Sequence, residues 1–365
     1  MNWSEEHSNA LKSVDLWFRS KPRKQIFRLF GFAGVGKTTL AKHFAEHIDG
    51  IVVFAAFTGK ASLVLRSKGC LNASTIHSLI YKATISKDGL VTFNLNRNSI
   101  IKDVSLIIID ECSMVDQELG RDLLSFGKPI LVLGDPAQLP PIDGAGFFTN
   151  HTPDVMLTEI HRQAKDNPII HLATLARNKQ RLKLGTYGDS LITDSINLNC
   201  FNDINQVLVG KNDTRKIMNN RARKFLKFDS EDPLIDERII CLQNDATLGI
   251  YNGGTFKIVD RLKAKSPNFY KFGIQDDYSP NEQAFSTSVH KSFFRADIPI
   301  PNWKVLKGTQ QFDYAYAITG HKSQGSQWKS VLVYDESYVF GDNWSRWLYT
   351  CITRAEERVE IVMKE

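Results

Sequence analysis

Residues 26–48 read IFRLFGFAGVGKTTLAKHFAEHI, and this stretch decides the fold. IFRLF at 26–30 is a short apolar run of strand character, and GFAGVGKT at 31–38 is rich in glycine. KTTLAKHFAEHI has amphipathic helical periodicity and is closed by the stop signal Asp49–Gly50. Strand, glycine loop and helix in that order are the context a phosphate-binding P-loop requires. Glycines let backbone N–H groups close around phosphates, and the helix N-terminus adds positive potential. Gly34, Val35, Gly36, Lys37, Thr38 and Thr39 are the nucleotide-binding residues expected from this reading. Lys37 is expected at the β and γ phosphates, and the Thr38 hydroxyl at a magnesium ion. A plain glycine turn before a core helix would not need the GKT ending.

Working outward, IVVFAAF at 51–57, LIIID at 106–110 and ILVLG at 130–134 are further buried strands. Their alternation with amphipathic segments predicts a parallel α/β sheet covered on both faces. Asn167–Pro168 ahead of IIHLATLARN predicts a capped helix with proline in its first turn. LIIID delivers Asp110 and Glu111 to one edge of the sheet. With a P-loop present, Asp110 is expected to hold magnesium through water and Glu111 to orient or deprotonate the attacking water. KATISKDGLVTFNLNRNSI at 82–100 sets a Lys-Asp-Gly turn between two alternating segments, an inserted β-hairpin. From about 261 to 310 the composition shifts to Lys, Pro, Ser and aromatics, which predicts a small β-rich insertion.

The chain has 365 residues, 42% of them hydrophobic, enough for one or two large cores. The formal net charge of +6 suits a polyanionic partner without demanding one. Five scattered cysteines lack zinc spacing or disulfide density and read as thiols in a reducing compartment. The acidic start MNWSEEHSNALKSVDLWF is unlike a signal peptide, and no apolar run reaches membrane-spanning length. The expectation is a soluble intracellular protein with no membrane partner.

A P-loop alone serves many functions, so other segments must choose among them. GFAGVGKTTL, FTGKASLVL, ASTIHSLI, IIIDECSMVD, LGDPAQLPP, LTEIHRQ, GKNDTRKIMNNRAR, TGHKSQGSQW and YTCITRA occur in this order. Over nearly its whole length the chain resembles the RecD-like branch of helicase superfamily 1. The resemblance implies two RecA-like α/β domains, at roughly 1–180 and 181–365, the second carrying a possibly SH3-like insertion. It implies an ATP- and magnesium-dependent motor, working as a monomer, that moves 5′ to 3′ on single-stranded DNA and opens forked duplex. ATP would lie between the domains.

The same resemblance assigns roles. Gln138 matches the family's γ-phosphate sensor, and Arg162 and Arg354 match its two γ-phosphate arginines, whose planar charge suits a transferring phosphoryl group. Gln324 and Gly325 match residues linking nucleotide to the second domain. For the DNA track it assigns Phe57, Thr58, Ser74 and His77 on the first domain, and Asn212, Arg215, Thr319, His321 and Lys322 on the second. Taken one at a time, Ser74 and Asn212 read more readily as helix caps than as ligands, and only their positions within the family's motifs reverse this. Contacts of this type follow the sugar-phosphate backbone, are independent of sequence and leave RNA open as a track. Phe93, the hairpin's phenylalanine, is either a wedge at the fork or a packing residue. The chain carries His7 where the family commonly has an adenine-reading glutamine, and Gln327 where it often has glutamate.

Overall fold

The computed structural model describes residues 3–85, 91–141, 146–159, 166–245, 248, 250, 252–277 and 283–363. It divides into two units: Met1–Arg181 with Ser345–Thr353, and Leu182–Trp344 with Arg354–Glu365.

The first unit is built on strands β1 (Ile26–Gly31), β2 (Ile51–Ala56) and β3 (Ser74–Thr75), a hairpin β4 (Tyr81–Ile85) and β5 (Val91–Leu95), then β6 (Val104–Asp110), β7 (Ile130–Gly134) and β8 (Val155–Leu157). Six of these form one sheet in the order β3-β2-β6-β7-β1-β8, and the pairings are parallel. Strand β6 explains why its sequence reads as an unbroken apolar run. Leu106 and Ile108 enter one core with Leu29, Leu40 and Leu131, while Ile107 and Ile109 enter the other with Phe30, Ile130 and Val132. A strand covered on both faces has no polar side to show.

The helix after the P-loop runs Lys37–Ala45, shorter than the periodic segment. The bonds Glu46 N–H to Lys42 O and His47 N–H to Phe44 O tighten its last turn, and Gly50 then takes a φ of 111°. The helix Pro168–Arg177 starts as its sequence predicts, with the Asn167 side chain accepting from Ile169 N–H at 2.8 Å.

Strands β4 and β5 pair antiparallel, Tyr81 opposite Leu95 and Ala83 opposite Phe93. The pairing therefore ends at Leu95, not at residue 100: Asn96 turns, its N–H bonded to Ile80 O, and Ile100–Asp103 forms a 3-10 turn leading into β6. The turn at 86–90 lies outside the described residues.

The second unit holds β9 (Gly185–Tyr187), β10 (Ser190–Thr193), β11 (Gln206–Val209), β12 (Arg238–Cys241), β13 (Thr255–Leu262), β14 (Phe269–Asp276), β15 (Phe285–His290), β16 (Phe312–Tyr314), β17 (Ala317–Thr319), β18 (Trp328–Tyr334) and β19 (Ala355–Val362). A six-stranded sheet runs β17-β11-β18-β19-β10-β9, parallel except for the antiparallel edge β9. A separate antiparallel sheet runs β15-β14-β13-β12-β16, and Gln310 N–H reaches Ser288 O at 2.8 Å, drawing its two edges together. The β-rich element thus spans 238–314, wider than the 261–310 expected. Its first strand, RIIC, shows no alternation of its own and pairs with residues 312–314, a partner no local pattern reveals.

Candidate active site

The carboxyl ends of β1, β6 and β7 converge, as open parallel sheets bring their functional loops together. At the end of β1, Gly31 has no room for a side chain: a Cβ would lie 2.7 Å from Val35 Cγ2 and 2.9 Å from Leu157 Cβ. Gly34 and Gly36 take φ of 79° and 78°, left-handed values that curl the loop. Gly36 then occupies the N-cap position of helix Lys37–Ala45 without a side chain to cap it, so the helix opens with backbone N–H groups facing the loop's concave side. Val35 is fully buried and Thr39 is exposed in the first helical turn. The Lys37 ammonium lies over the loop, donating to Gly31 O at 2.7 Å and Phe32 O at 2.9 Å.

At the end of β6 the Thr38 hydroxyl donates to Asp110 Oδ2 at 2.8 Å, while Asp110 Oδ1 accepts the Glu111 N–H at 2.8 Å. Burial and the adjacent Glu111 carboxylate raise the Asp110 carboxyl above its ordinary range, against the lowering effect of the Thr38 bond and Lys37. Glu111 itself sits at φ 52°, ψ 46°. A non-glycine residue held left-handed is strained by about 1–3 kcal/mol, and such strain is common at functional sites. A hydroxyl and a carboxylate within bonding distance are the hard oxygen donors magnesium selects, and that ion needs only one or two carboxylates beside phosphate oxygens. The residues present therefore fit magnesium. Among the described residues no cluster of three or more His, Cys, Asp or Glu forms a closed metal cage.

At the end of β7 the loop Asp135–Leu139 is more deeply engaged than its sequence suggests. Asp135 Oδ1 accepts from Ala137 N–H at 2.9 Å, and Gln138 is 6% exposed. Tyr349, from helix Trp344–Ile352, donates its hydroxyl proton to Asp135 Oδ2 at 2.5 Å and accepts the Ala33 N–H of the P-loop at 2.8 Å. Thr350 beside it accepts the Leu139 N–H at 3.0 Å. Neither Asp135 nor Tyr349 was singled out by the sequence reading, although both lie inside motifs it quoted.

His7 is 1% exposed, its Nε2 lying 2.8 Å from Val35 O and its Nδ1 2.7 Å from Ser4 Oγ. A carbonyl only accepts, so Nε2 donates its proton to Val35 O. The histidine pins the P-loop backbone to the first helix, Glu5–Arg19, which Ser4 caps. Both of its ring nitrogens are engaged by protein.

The four residues expected on the track of the first domain lie past β2 and around β3. Thr58 caps helix Gly59–Ser67, its Oγ1 accepting from Ala61 N–H at 3.1 Å. Phe57 and His77 meet edge to face at 5.7 Å, and burial lowers the His77 imidazole below its usual range. Ser74 pairs across β3 with Ala55, and Thr75, not Ser74, caps the next helix. Phe93 is 65% exposed. Arg162 falls at 160–165, outside the described residues.

In the second unit, Asn212, Thr319, His321 and Lys322 follow the ends of β11 and β17, which pair Val209 with Thr319. Asn212 is the exposed first residue of helix Asn212–Phe225, whose N-cap is Lys211. Glu336, buried and absent from the sequence reading, sets this turn: its carboxylate takes Gly210 N–H and Lys211 N–H at 2.9 Å each and the Thr214 hydroxyl at 2.6 Å. Lys322 is exposed and His321 is half-buried, its ring 5.5 Å from Phe340. Arg215 departs from the expected pattern. It is buried and ion-paired with Asp313, so its charge is already met within the unit. Gln324 is buried and Gly325 takes φ 74°. Arg354 is buried nearby, its Nη1 donating to Ser326 O at 3.3 Å.

Comparison with known proteins matches these elements. Residues 20–192 fit the AAA domain family, and residues 314–362 fit the UvrD-like helicase C-terminal domain. The chain is 27% identical over 350 residues to the ATP-dependent RecD2 DNA helicase of Deinococcus radiodurans, covering 90% of this chain and 46% of that protein. The two matches place an AAA-like region ahead of a region similar to the UvrD-like helicase C-terminal domain in this chain. The ATP-dependent DNA helicase dda of Enterobacteria phage T4 is 32% identical over 173 residues, 43% of this chain and 39% of dda. The chain spans less than half the length of either relative. Its fold is shared with Bacteroides Pif1 solved bound to single-stranded DNA, at TM-score 0.58 and 18% identity over 100% of this chain and 92% of that one. No described helix is long and apolar enough to cross a membrane, and all five cysteines are buried.

Proposed function

We propose that this chain is an ATP-dependent DNA helicase that moves 5′ to 3′ along single-stranded DNA and opens duplex ahead of it. The observation that carries the reading is the 2.8 Å bond between Thr38 and Asp110 beneath a left-handed glycine loop, with Glu111 held beside it. The P-loop amides and Lys37 bind and orient the phosphates. Thr38 and Asp110 would hold magnesium, which neutralises phosphate charge. Glu111 takes a proton from the attacking water, and Gln138 stands in the buried loop where a γ-phosphate sensor belongs. Exposed Asn212 and Lys322, with Thr58 and Thr319, suit backbone contacts on the track. The test is ATPase and unwinding measured side by side on duplexes with 5′ or 3′ single-stranded tails. Unwinding of the 5′-tailed substrate alone is expected; unwinding only from a 3′ tail would overturn the polarity, and ATPase without unwinding would reduce the protein to a translocase.

Single-stranded DNA is expected to stimulate ATP hydrolysis, with an apparent affinity that falls steeply as salt rises. Backbone neutralisation releases condensed counterions, about 0.7 per phosphate contact on a single strand. Titration of homopolymers at two or three salt concentrations reads this directly. A rate indifferent to added nucleic acid would rule out the motor.

The exposed Phe93 ring on β5 is the proposed fork wedge, because a flat apolar face on a paired hairpin can stack on an opened base. Stacking of about 1–3 kcal/mol is comparable to one base-pair step. Phe93→Ala is expected to lower unwinding several-fold while DNA-stimulated ATPase, single-strand translocation and thermal stability stay near wild type. Unchanged unwinding would place the wedge elsewhere.

A further inference from the structure

Helix Trp344–Ile352 packs two neighbouring side chains onto the loop that carries Gln138. Tyr349 bonds Asp135 at the loop's start, and Thr350 bonds Leu139 at its end, so the two bonds bracket Gln138. The Tyr349 hydroxyl also receives the Ala33 N–H of the P-loop. An N–H can only donate, so the single phenolic proton must go to the carboxylate, and the directions of both bonds are set. Burial and the Asp135 charge hold the Tyr349 hydroxyl well above its ordinary range, which keeps that proton on oxygen. Tyr349 is fully buried and lies 214 residues from Asp135 in sequence, a distant partner for a short polar loop.

We propose that Tyr349 is a positioning residue for hydrolysis, its one hydroxyl joining the P-loop to Asp135 so that a change in the loop at Ala33 is passed to Gln138. This rests on the helicase reading above. The phenol bonds Asp135 and Ala33, and through Asp135 it sets where Gln138 stands. A P-loop that closes on phosphate shifts the Ala33 amide, the shared oxygen follows, and the carboxylate moves with it. Because the loop is held at both ends, it responds as a unit.

Tyr349→Phe keeps the ring and removes the shared oxygen. DNA-stimulated kcat is expected to fall about tenfold, the scale of one hydrogen bond to a buried carboxylate, while the Kd for methylanthraniloyl-ATP stays within about twofold. A role in packing alone would lower the thermal midpoint without this split between turnover and binding. Asp135→Asn approaches the same link from the other side and serves if the tyrosine variant does not fold. The double variant should lose no more turnover than the worse single, since both break one path. Wild-type turnover in Tyr349→Phe, or losses that multiply in the double variant, would overturn the proposal. Absence of DNA-stimulated ATPase in the unaltered protein would instead overturn the helicase reading and this inference with it.

Discussion

Glu111→Gln is expected to bind ATP as the unaltered chain does and to hydrolyse it about a hundredfold more slowly or worse, a loss of roughly 2.7 kcal/mol of transition-state stabilisation. Glutamine matches glutamate in shape, so the left-handed backbone at φ 52° and the bond from its N–H to Asp110 are retained. What disappears is the capacity to take a proton. Steady-state ATPase with saturating single-stranded DNA, alongside binding of a fluorescent ATP analogue, separates the two effects. Near-normal turnover in this variant would show that the attacking water is activated by another group, and the strain at residue 111 would need a different account.

Lys37→Ala is expected to damage binding and turnover together, lowering kcat/KM by about a thousandfold, or roughly 4 kcal/mol. The ammonium donates to Gly31 O and Phe32 O, within the loop it would leave to meet phosphate, so it stands at the site without rearrangement of the main chain. A compact point charge on a flexible stem suits a group that must follow a moving phosphoryl. The loop should survive the change, because its shape depends on Gly31 packed against Val35 and Leu157 and on the His7 ring bonded to Val35 O. Circular dichroism and the thermal midpoint check that the fold persists. A variant that folds and still binds ATP with wild-type affinity would remove Lys37 from the phosphate site.

These two experiments concern residues that local sequence reveals, and the hairpin and β-rich insertion mark where local sequence stops being sufficient. The Lys-Asp-Gly turn predicted β4 and β5, but where pairing ended depended on the Asn96 N–H bonding back to Ile80 O. Strand β12 has four residues and finds partners in β13 and in β16, some seventy residues on. Ser74 and Asn212 both carry side chains suited to capping. The adjacent Thr75 and Lys211 occupy the cap positions instead, because pairing of β3 with β2 and the reach of Glu336 set where each helix begins. Arg215 is assigned to the track by its place in a family motif, and folding brings Asp313 against it, a partner 98 residues away.

The sequence by itself determined the parallel α/β core and the P-loop with its acidic partners. Short, β-branched apolar runs bounded by turn signals read as strands covered on both faces, and a strand, glycine loop and helix in succession define phosphate-binding geometry through backbone terms a few residues long. Only the tertiary structure decided how the Asp135–Leu139 loop is held, what His7 does and where Phe93 points. Tyr349 reaches Asp135 across 214 residues, and His7 reaches Val35 across 28. A hydrogen bond between residues so far apart depends on the packing of whole elements, and no spacing in the chain encodes it.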